Sequence, residues 1–509
     1  MKKTYKYAIL SALVLLLSTQ GCKKDFLDIN ENPNNPEDVD VKFILPAAQA
    51  DLAYTVGNQL HIVGGLWAQY WTQGTNANQY NDYDRYFYNN TEADRPWGAL
   101  YRGTLKDLDV LYKKAKAANQ RDYMAITRIL QAYTLQVITD AWGDVPFSEA
   151  LQGFEGNTTP KFDSQEEIYD MLIALVDEGI GISDTLLFLD PDYDPSKGPQ
   201  ADDLVFQGDY NGLYNWNKFA YTLKLKIYLR QINVRPSVAA NGIAAMPADP
   251  FYYLGEGSAG TGDDAFVHYV DEQFRQNPLY TTVVALSPSK NIFASKTAID
   301  YLESINDPRI ADFYDPNGDG DFVGIIQGGA RDATLYPPPT DDADYSEYNT
   351  EQIIAPTVPV RLMTASESMF LQAEAIARGL MAGDAQALYE AAIEDSWLQW
   401  VNASSDTSFA TYIAQAGVVY ASGGSIDDQV KAIITQKWIA MNGNQNFEAW
   451  TEFRRTGYPD FFVEPVITDI PGQFPARLAY PSEELTANPN AVSANSGMSI
   501  TSKLWWDVN

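Results

Sequence analysis

The sequence predicts a mainly α-helical protein, a tetratricopeptide-like scaffold of paired helices with long irregular loop insertions. Apolar residues recur at helical spacing in several segments, and these segments follow one another in pairs. Capping residues and glycines mark where many of the segments begin and end. Because an amphipathic helix cannot bury its apolar face alone, neighbouring pairs are expected to stack, although a strict repeat consensus is absent.

Two helix pairs are predicted in the first half of the chain. The first joins a helix from about Trp97 to Ala118 to one from Asp122 to Ala141. The apolar stripe of that second helix consists of Ile126, Leu130, Tyr133, Val137 and Ala141. In the second pair, Ser164 and Glu167 form a capping box that opens a helix toward Gly179. Its partner helix carries Trp216, Phe219, Leu223 and Ile227 at helical spacing.

Three more helices are predicted in the second half. Thr364 and Glu367 form a second capping box, and the helix that they open ends at Gly379. Asp384 caps a helix that runs toward Val401. The last helix spans Asp428 to Met441 and stops at Gly443. Its apolar face consists of Val430, Ile434, Trp438 and Met441.

The domain prediction is a single helical domain over residues 41–509. Insertions rich in Gly, Asn, Asp, Pro and Tyr interrupt it at about 57–96, 185–215, 236–360 and 402–426. Loops of this length usually carry function. We therefore expect the helices to form the scaffold and the insertions to recognise a ligand.

The N-terminus predicts export and a lipid anchor at Cys22, which is the only cysteine. Three lysines, a short apolar run and small residues precede it, which is the order of a secretory signal peptide over residues 1–21. Cleavage there would leave Cys22 as the first residue, available for acylation, with residues 22–40 as a flexible tether. The alternative is a soluble exported protein that keeps one thiol at its N-terminus.

Composition excludes several classes of function. The net charge of −32 disfavours nucleic acids and polybasic attachment to membranes, so membrane contact is expected through the lipid anchor only. The chain has only two histidines and one cysteine, which are too few for most nucleophile–base active sites and most zinc sites. Carboxylates are plentiful, so catalysis by a carboxylate pair stays open.

The segment from Leu66 to Trp97 is the first candidate for a ligand site, because aromatic and amide side chains alternate in it. Aromatic planes cover the apolar faces of sugar rings, and amide and carboxylate groups pair with the hydroxyls. The predicted ligand-binding residues are Trp71, Gln73, Asn76, Tyr80, Asp82 and Tyr83. Trp67 and Trp97 are expected in the core. In the alternative interpretation the whole segment packs as a structural loop.

Four other segments contain residues that could carry function. Residues 315–321 resemble the first half of a calcium loop, with the expected oxygen ligands Asp315, Asn317, Asp319 and Asp321. A turn that caps its own backbone is the alternative, and calcium is the only cofactor considered. Residues 336–348 form a stiff acidic loop that lines the ligand face or meets a partner protein. Residues 142–146 and the charged residues of 452–455 are expected to be structural.

Several motifs together resemble the SusD/RagB family of outer-membrane lipoproteins of Bacteroidetes. The motifs are CKKDFLD from Cys22, WGDVPF at 142–147, MTASE at 363–367, FLQAEA at 370–375, QKW at 436–438, EAW at 448–450, EFRRTGYP at 452–459 and RLAYP at 477–481. They lie in order across nearly the whole mature chain. The SusD-like nutrient-binding lipoproteins are the most similar branch.

The resemblance implies a tetratricopeptide-like, non-enzymatic protein held at the outer membrane by its lipid and facing outward. It also implies a partner, a SusC-like TonB-dependent transporter, and the capture of oligosaccharides for import. Capture of peptides is the alternative within the family. An exported carboxylate-dependent glycoside hydrolase and a pure scaffold protein are the alternatives outside it.

Overall fold

The computed structural model describes residues 39–206, 212–287, 289–401 and 408–509. The predicted signal peptide, Cys22 and nearly all of the predicted tether lie outside these ranges. Within them, no helix combines the length and the apolar character needed to cross a membrane.

Helices dominate the structure, and short strands form two small sheets. The α-helices are α1 (Val41–Val56), α2 (Gln59–Trp67), α3 (Asn81–Asp84), α4 (Asn90–Gly98), α5 (Lys106–Ala117), α6 (Arg121–Trp142), α7 (Gln165–Asp184), α8 (Gly212–Arg230), α9 (Pro236–Ala244), α10 (Pro278–Tyr280), α11 (Lys296–Ser304), α12 (Ile310–Phe313), α13 (Ala365–Ala377), α14 (Ala385–Trp400), α15 (Phe409–Ile413), α16 (Ile426–Met441), α17 (Asn446–Thr456), α18 (Ser482–Ala487) and α19 (Pro489–Ala494). The strands are β1 (Trp71–Gln73), β2 (Ala265–Val267), β3 (Ile292–Ala294), β4 (Tyr314–Asp315), β5 (Glu347–Tyr348) and β6 (Val360–Met363).

The paired-helix scaffold predicted from the sequence is confirmed. Helices α5 and α6, α13 and α14, and α16 and α17 follow each other closely and pack together, and α7 packs on α8 although a long insertion separates them in the chain. Further contacts between α6 and α7, and between α13 and α16, join one pair to the next. A π-helical stretch, Ala99–Leu105, makes α4 and α5 nearly continuous, as the prediction of one helix from Trp97 to Ala118 requires.

The helix starts follow the predicted caps, with two differences. Ser164 and Glu167 form a complete capping box at α7, which runs five residues beyond Gly179 to Asp184. Thr364 caps α13, but the Glu367 carboxylate turns into the core and accepts from Gln445 instead of closing the box. Helix α16 starts earlier than predicted, because Ser425 is its cap and Asp428 closes the box.

Replacing Ser164 with alanine is expected to lower the free energy of unfolding by about 1 kcal/mol, because the backbone N–H of Glu167 loses its acceptor and the Glu167 carboxylate loses the hydroxyl donor. Urea unfolding measures the change. The control is Ser237→Ala, an exposed serine inside α9 where alanine is the better helix former. Equal losses in the two variants would contradict the capping role.

The predicted loop over 57–96 is wrong in its first part, because α2 is a core helix. Gly64 and Gly65 lower its helix propensity, which hides it from sequence patterns. The structure shows why glycine stands there: a Cβ on Gly64 would lie 2.4 Å from the backbone nitrogen of Phe447. Helices α2 and α17 therefore pack backbone to backbone, in a contact that no larger residue permits.

A buried network of charged side chains joins all four helix pairs. Its acids and bases are Asp140, Glu367, Glu374, Glu448, Glu452, Lys226, Arg230, Lys437 and Arg455. Among the closest pairs, Lys226 lies 2.8 Å from Glu367, and Arg455 lies 2.6 Å from Glu374. The ion pair predicted near residues 452–455 is thus structural, but it belongs to the core and not to the surface.

Candidate functional site

The structure places most of the predicted ligand-binding residues in the interior. Trp71 is fully buried, with its ring 5.3 Å from His61. Gln73 is also buried, and its amide oxygen accepts from the backbone of Tyr80 at 2.7 Å. The buried Tyr83 hydroxyl donates to Glu92 at 2.6 Å. The side chain of Tyr80 is buried as well. Four of the six predicted ligand residues thus pack in the core, which agrees with the alternative interpretation of the segment as a structural loop.

Asn76 and Asp82 are the two predicted ligand residues that are exposed. The Asn76 amide donates to Asp342 at 2.8 Å and to the carbonyl of Thr340 at 3.0 Å. This contact joins the early segment to the acidic loop over 336–348. The alternation of aromatic and amide residues therefore did not indicate which side chains of this segment face solvent.

One small antiparallel sheet brings three of the predicted segments together. Its strand order is β1–β3–β5–β4, so the early segment, the acidic loop and the calcium-loop motif meet at one face. The backbone nitrogen of Gly318 donates to the carbonyl of Ala343 at 2.7 Å, which fixes the motif against the acidic loop. The three segments are separate candidates in the sequence, and nothing in the sequence indicates that they lie next to one another in the fold.

Two of the four predicted calcium ligands accept hydrogen bonds from within the protein through their side-chain oxygens. Asn317 Oδ1 accepts from the backbone nitrogens of Asp319 and Asp321, at 3.0 and 2.9 Å. Asp315 Oδ2 accepts from the hydroxyl of Thr350 at 3.0 Å. In the described part of the chain, no group of three or more His, Cys, Asp or Glu side chains is arranged to hold a metal. Calcium binding at this turn stays a prediction.

A cleft of about 610 Å³ lies in another part of the structure, and we name it the Phe154 cleft. It opens between the start of α5, the loop after α6 and the start of α18. Its lining residues are Trp97, Gly98, Tyr101, Arg102, Lys106, Pro146, Ala150, Leu151, Gln152, Gly153, Phe154, Asn157, Thr158, Pro160, Glu483 and Glu484. The lining is mostly apolar with a polar rim, which is typical of small-molecule sites.

The aromatic part of the cleft consists of two fixed rings and one free ring. Trp97 packs edge to face on Trp142 at 5.3 Å, and its indole N–H donates to Glu484. The hydroxyl of Tyr101 donates to the carbonyl of Pro146 at 2.7 Å. Phe154 is 90% exposed, which is costly for a phenyl ring in water. Its position on the rim of a cleft indicates a contact surface for a ligand.

The WGDVPF turn positions the loop that carries Phe154. Asp144 accepts from the backbone nitrogen of Gln165 at 2.8 Å, which confirms the structural role predicted for this turn. Asp163 accepts from the backbone nitrogens of Phe147 and Ser148, at 2.9 and 2.7 Å. Farther along, Leu151 has a left-handed φ of 64°, a strained conformation for a leucine that is often found at functional sites.

The charges on the rim of the cleft balance. Arg102 pairs with Glu483 at 3.0 Å, and the ammonium of Lys106 lies 5.1 Å from the centre of the Phe154 ring. Burial raises the pKa of Glu484, although hydrogen bonds from Asn488 and Trp97 oppose the rise. Two cations and two carboxyl groups thus surround an apolar centre, and they offer both donors and acceptors to an uncharged polar ligand.

Sequence reasoning missed Phe154. Trp97 was predicted in the core, and its almost fully buried ring confirms this, while one edge of the ring also lines the cleft. Phe154 lies between Gly153 and Gly156 in a short loop, where a single aromatic residue has no periodic pattern to mark it. An isolated aromatic residue flanked by glycines was the one available indication.

Together, these observations define a helical-repeat protein with an open, aromatic cleft. The family model described as "Starch-binding associating with outer membrane" matches residues 33–481, and the chain therefore belongs to the SusD-like family. No curated protein sequence matches significantly.

Solved structures of the family superimpose over nearly the whole chain. A chitin-binding protein is 25% identical, with a TM-score of 0.76 over 92% of this chain and all of that one. A SusD homologue from Bacteroides uniformis is also 25% identical, with a TM-score of 0.73 over the same shares. A chitin-binding SusD homologue from Flavobacterium johnsoniae, at 23% identity and a TM-score of 0.74, covers 91% of this chain and 99% of its own.

Proposed function

We propose that this protein captures oligosaccharides in the Phe154 cleft and passes them to a TonB-dependent, SusC-like transporter in the outer membrane. The observation that carries the proposal is the exposed Phe154 ring at the rim of an aromatic cleft with hydrogen-bonding groups on both sides. Membership in a family described as associating with the outer membrane supports the location. Acylation of Cys22 would hold the protein there.

A sugar ring suits the cleft in shape and in chemistry. Its C–H face can pack on Phe154, which releases water from an exposed phenyl surface. Its hydroxyls can pair with Glu483, Glu484 and Lys106 at the rim. Because the cations and carboxylates of the cleft balance, we expect a neutral oligosaccharide to bind better than a uronic acid polymer. Chitin oligomers are the first candidate ligands, since two similar structures are chitin-binding proteins.

Titration calorimetry of the purified protein with chitotriose, cellotriose, maltotriose and a set of tripeptides tests the proposal. We expect saturable binding to one class of glycan and no binding of peptides. A reducing-end assay on the same glycans separates a binding protein from a hydrolase, and we expect no new reducing ends. Binding of peptides alone, or steady release of reducing ends, would contradict the proposal.

A further inference from the structure

A second open cleft, of about 510 Å³, lies away from the first, and we name it the Tyr301 cleft. One wall is α11 and the other is the segment that follows α17. Its lining residues are Lys296, Thr297, Asp300, Tyr301, Ser304, Ile326, Gln327, Phe461, Val463 and Glu464. None of them belongs to the Phe154 cleft.

Two stacked rings form the apolar part of this cleft. Tyr301 and Phe461 lie nearly parallel, with their centres 4.1 Å apart and 17° between their planes. The buried ring of Trp438 meets both of them edge to face, at 6.0 and 5.3 Å. The two rings are half-buried and held from the core side, so their position is set before any ligand arrives.

Polar groups stand around the rings on more than one side. The ammonium of Lys296 lies 2.6 Å from Asp300, and both side chains are about half exposed. Glu464 is exposed on the opposite wall, where it accepts from the backbone nitrogen of Gly472 at 2.7 Å. An ammonium next to a carboxylate offers a donor and an acceptor at the spacing of neighbouring hydroxyls, which an apolar ligand could not use.

We propose that the Tyr301 cleft is a second saccharide-binding site. The proposed function supplies its ligand class, but its position rests on the stacked rings and the charged rim alone. Two sites on one rigid scaffold would hold a long glycan at two points. Each contact then raises the effective concentration of the chain at the other, so a polymer binds more tightly than its short fragments.

The test is the number of chitotriose molecules bound at saturation, measured by equilibrium dialysis. The variant Ser304→Trp fills the Tyr301 cleft from its exposed rim, and Glu303→Trp is the matched control on the neighbouring exposed position of α11, outside the lining. Val463→Trp fills the cleft from the other wall. Phe154→Ala removes the first site.

We expect two chitotriose molecules per chain in the unmodified protein and in Glu303→Trp. One should bind to Ser304→Trp, Val463→Trp or Phe154→Ala, and none to Phe154→Ala combined with Ser304→Trp. A single site that is lost in Phe154→Ala and unchanged in both filled variants overturns the inference and leaves the proposed function standing. If a single site is found and only Ser304→Trp and Val463→Trp lose it, the Tyr301 cleft binds chitotriose and the Phe154 cleft does not. No binding at all overturns both.

Discussion

Replacing Arg455 with methionine is expected to lower the free energy of unfolding by about 3–5 kcal/mol. The guanidinium of Arg455 donates two hydrogen bonds to Glu374, at 2.8 and 2.6 Å, and two to Glu452, at 2.8 and 2.7 Å. All three side chains are buried. Methionine keeps most of the volume but leaves two buried carboxylates without their main cation, and desolvated charges of this kind are costly. Urea unfolding measures the loss.

Arg378→Met is the matched control, because it removes an arginine from the same Glu374 at the edge of the network. Arg378 Nε lies 2.8 Å from Glu374 but its side chain is 21% exposed, so water can replace much of the contact. We expect a loss of about 1 kcal/mol or less. Similar losses in the two variants would contradict the idea that burial gives the network its importance.

The interaction between Arg455 and Glu374 also predicts how the stability of the protein depends on pH. Burial raises the pKa of Glu374, but Arg455 and Arg378 outweigh it and lower that pKa from 4.5 to about 2. A depressed pKa stabilises the folded protein above pH 4.5, and this contribution is lost as the pH falls toward 2. The difference in stability between the unmodified protein and Arg455→Met should therefore be largest at neutral pH and shrink below pH 4.5.

Replacing Phe154 with alanine is expected to weaken binding at the Phe154 cleft about a hundredfold or more, so that this site stays empty at concentrations that saturate the unmodified protein, with no change in the midpoint of thermal unfolding. The ring is 90% exposed, so its removal costs the fold almost nothing. A ligand that packs on it loses a large apolar contact, which is typical of a residue that dominates a binding site. Calorimetry on the variant measures the affinity.

Phe274→Ala is the control for this experiment. Phe274 is 94% exposed and lies outside the cleft, so its removal deletes an equally exposed ring from another part of the surface. Its affinity for the glycan should equal that of the unmodified protein. Equal weakening in both variants would indicate non-specific adsorption to exposed rings, and an unchanged affinity in Phe154→Ala would place the site elsewhere.

The scaffold could be predicted from the sequence because its determinants are local. Ser164 with Glu167, and Asp384, cap their helices through contacts within one turn, and the stripe on α6 repeats with the helical period. Helix α2 escaped prediction for a non-local reason. Gly64 and Gly65 make it a poor helix by itself, and they are explained by tertiary contacts, of Gly64 with the backbone of α17 and of Gly65 with the ring of Trp71.

The binding site could be predicted much less well, because exposure of a ring depends on distant packing. Trp71 and Tyr80 lie in a segment that looks like a recognition loop, yet strand β1 pairs with β3 and the surrounding elements cover both rings. Phe154 looks unremarkable in the sequence and is left uncovered by the fold. The family motifs identified the scaffold and the general role, but they could not place the ligand.

The most direct test of glycan capture in the Phe154 cleft is a crystal structure of the protein with a bound chitin oligosaccharide. We expect a sugar ring packed on Phe154, with its hydroxyls within hydrogen-bonding distance of Glu483, Glu484 or Lys106. Additional density in the Tyr301 cleft would agree with a second site. A ligand bound only at the sheet face near Asn76 and Asp342, with the Phe154 cleft empty, would contradict the assignment of the site.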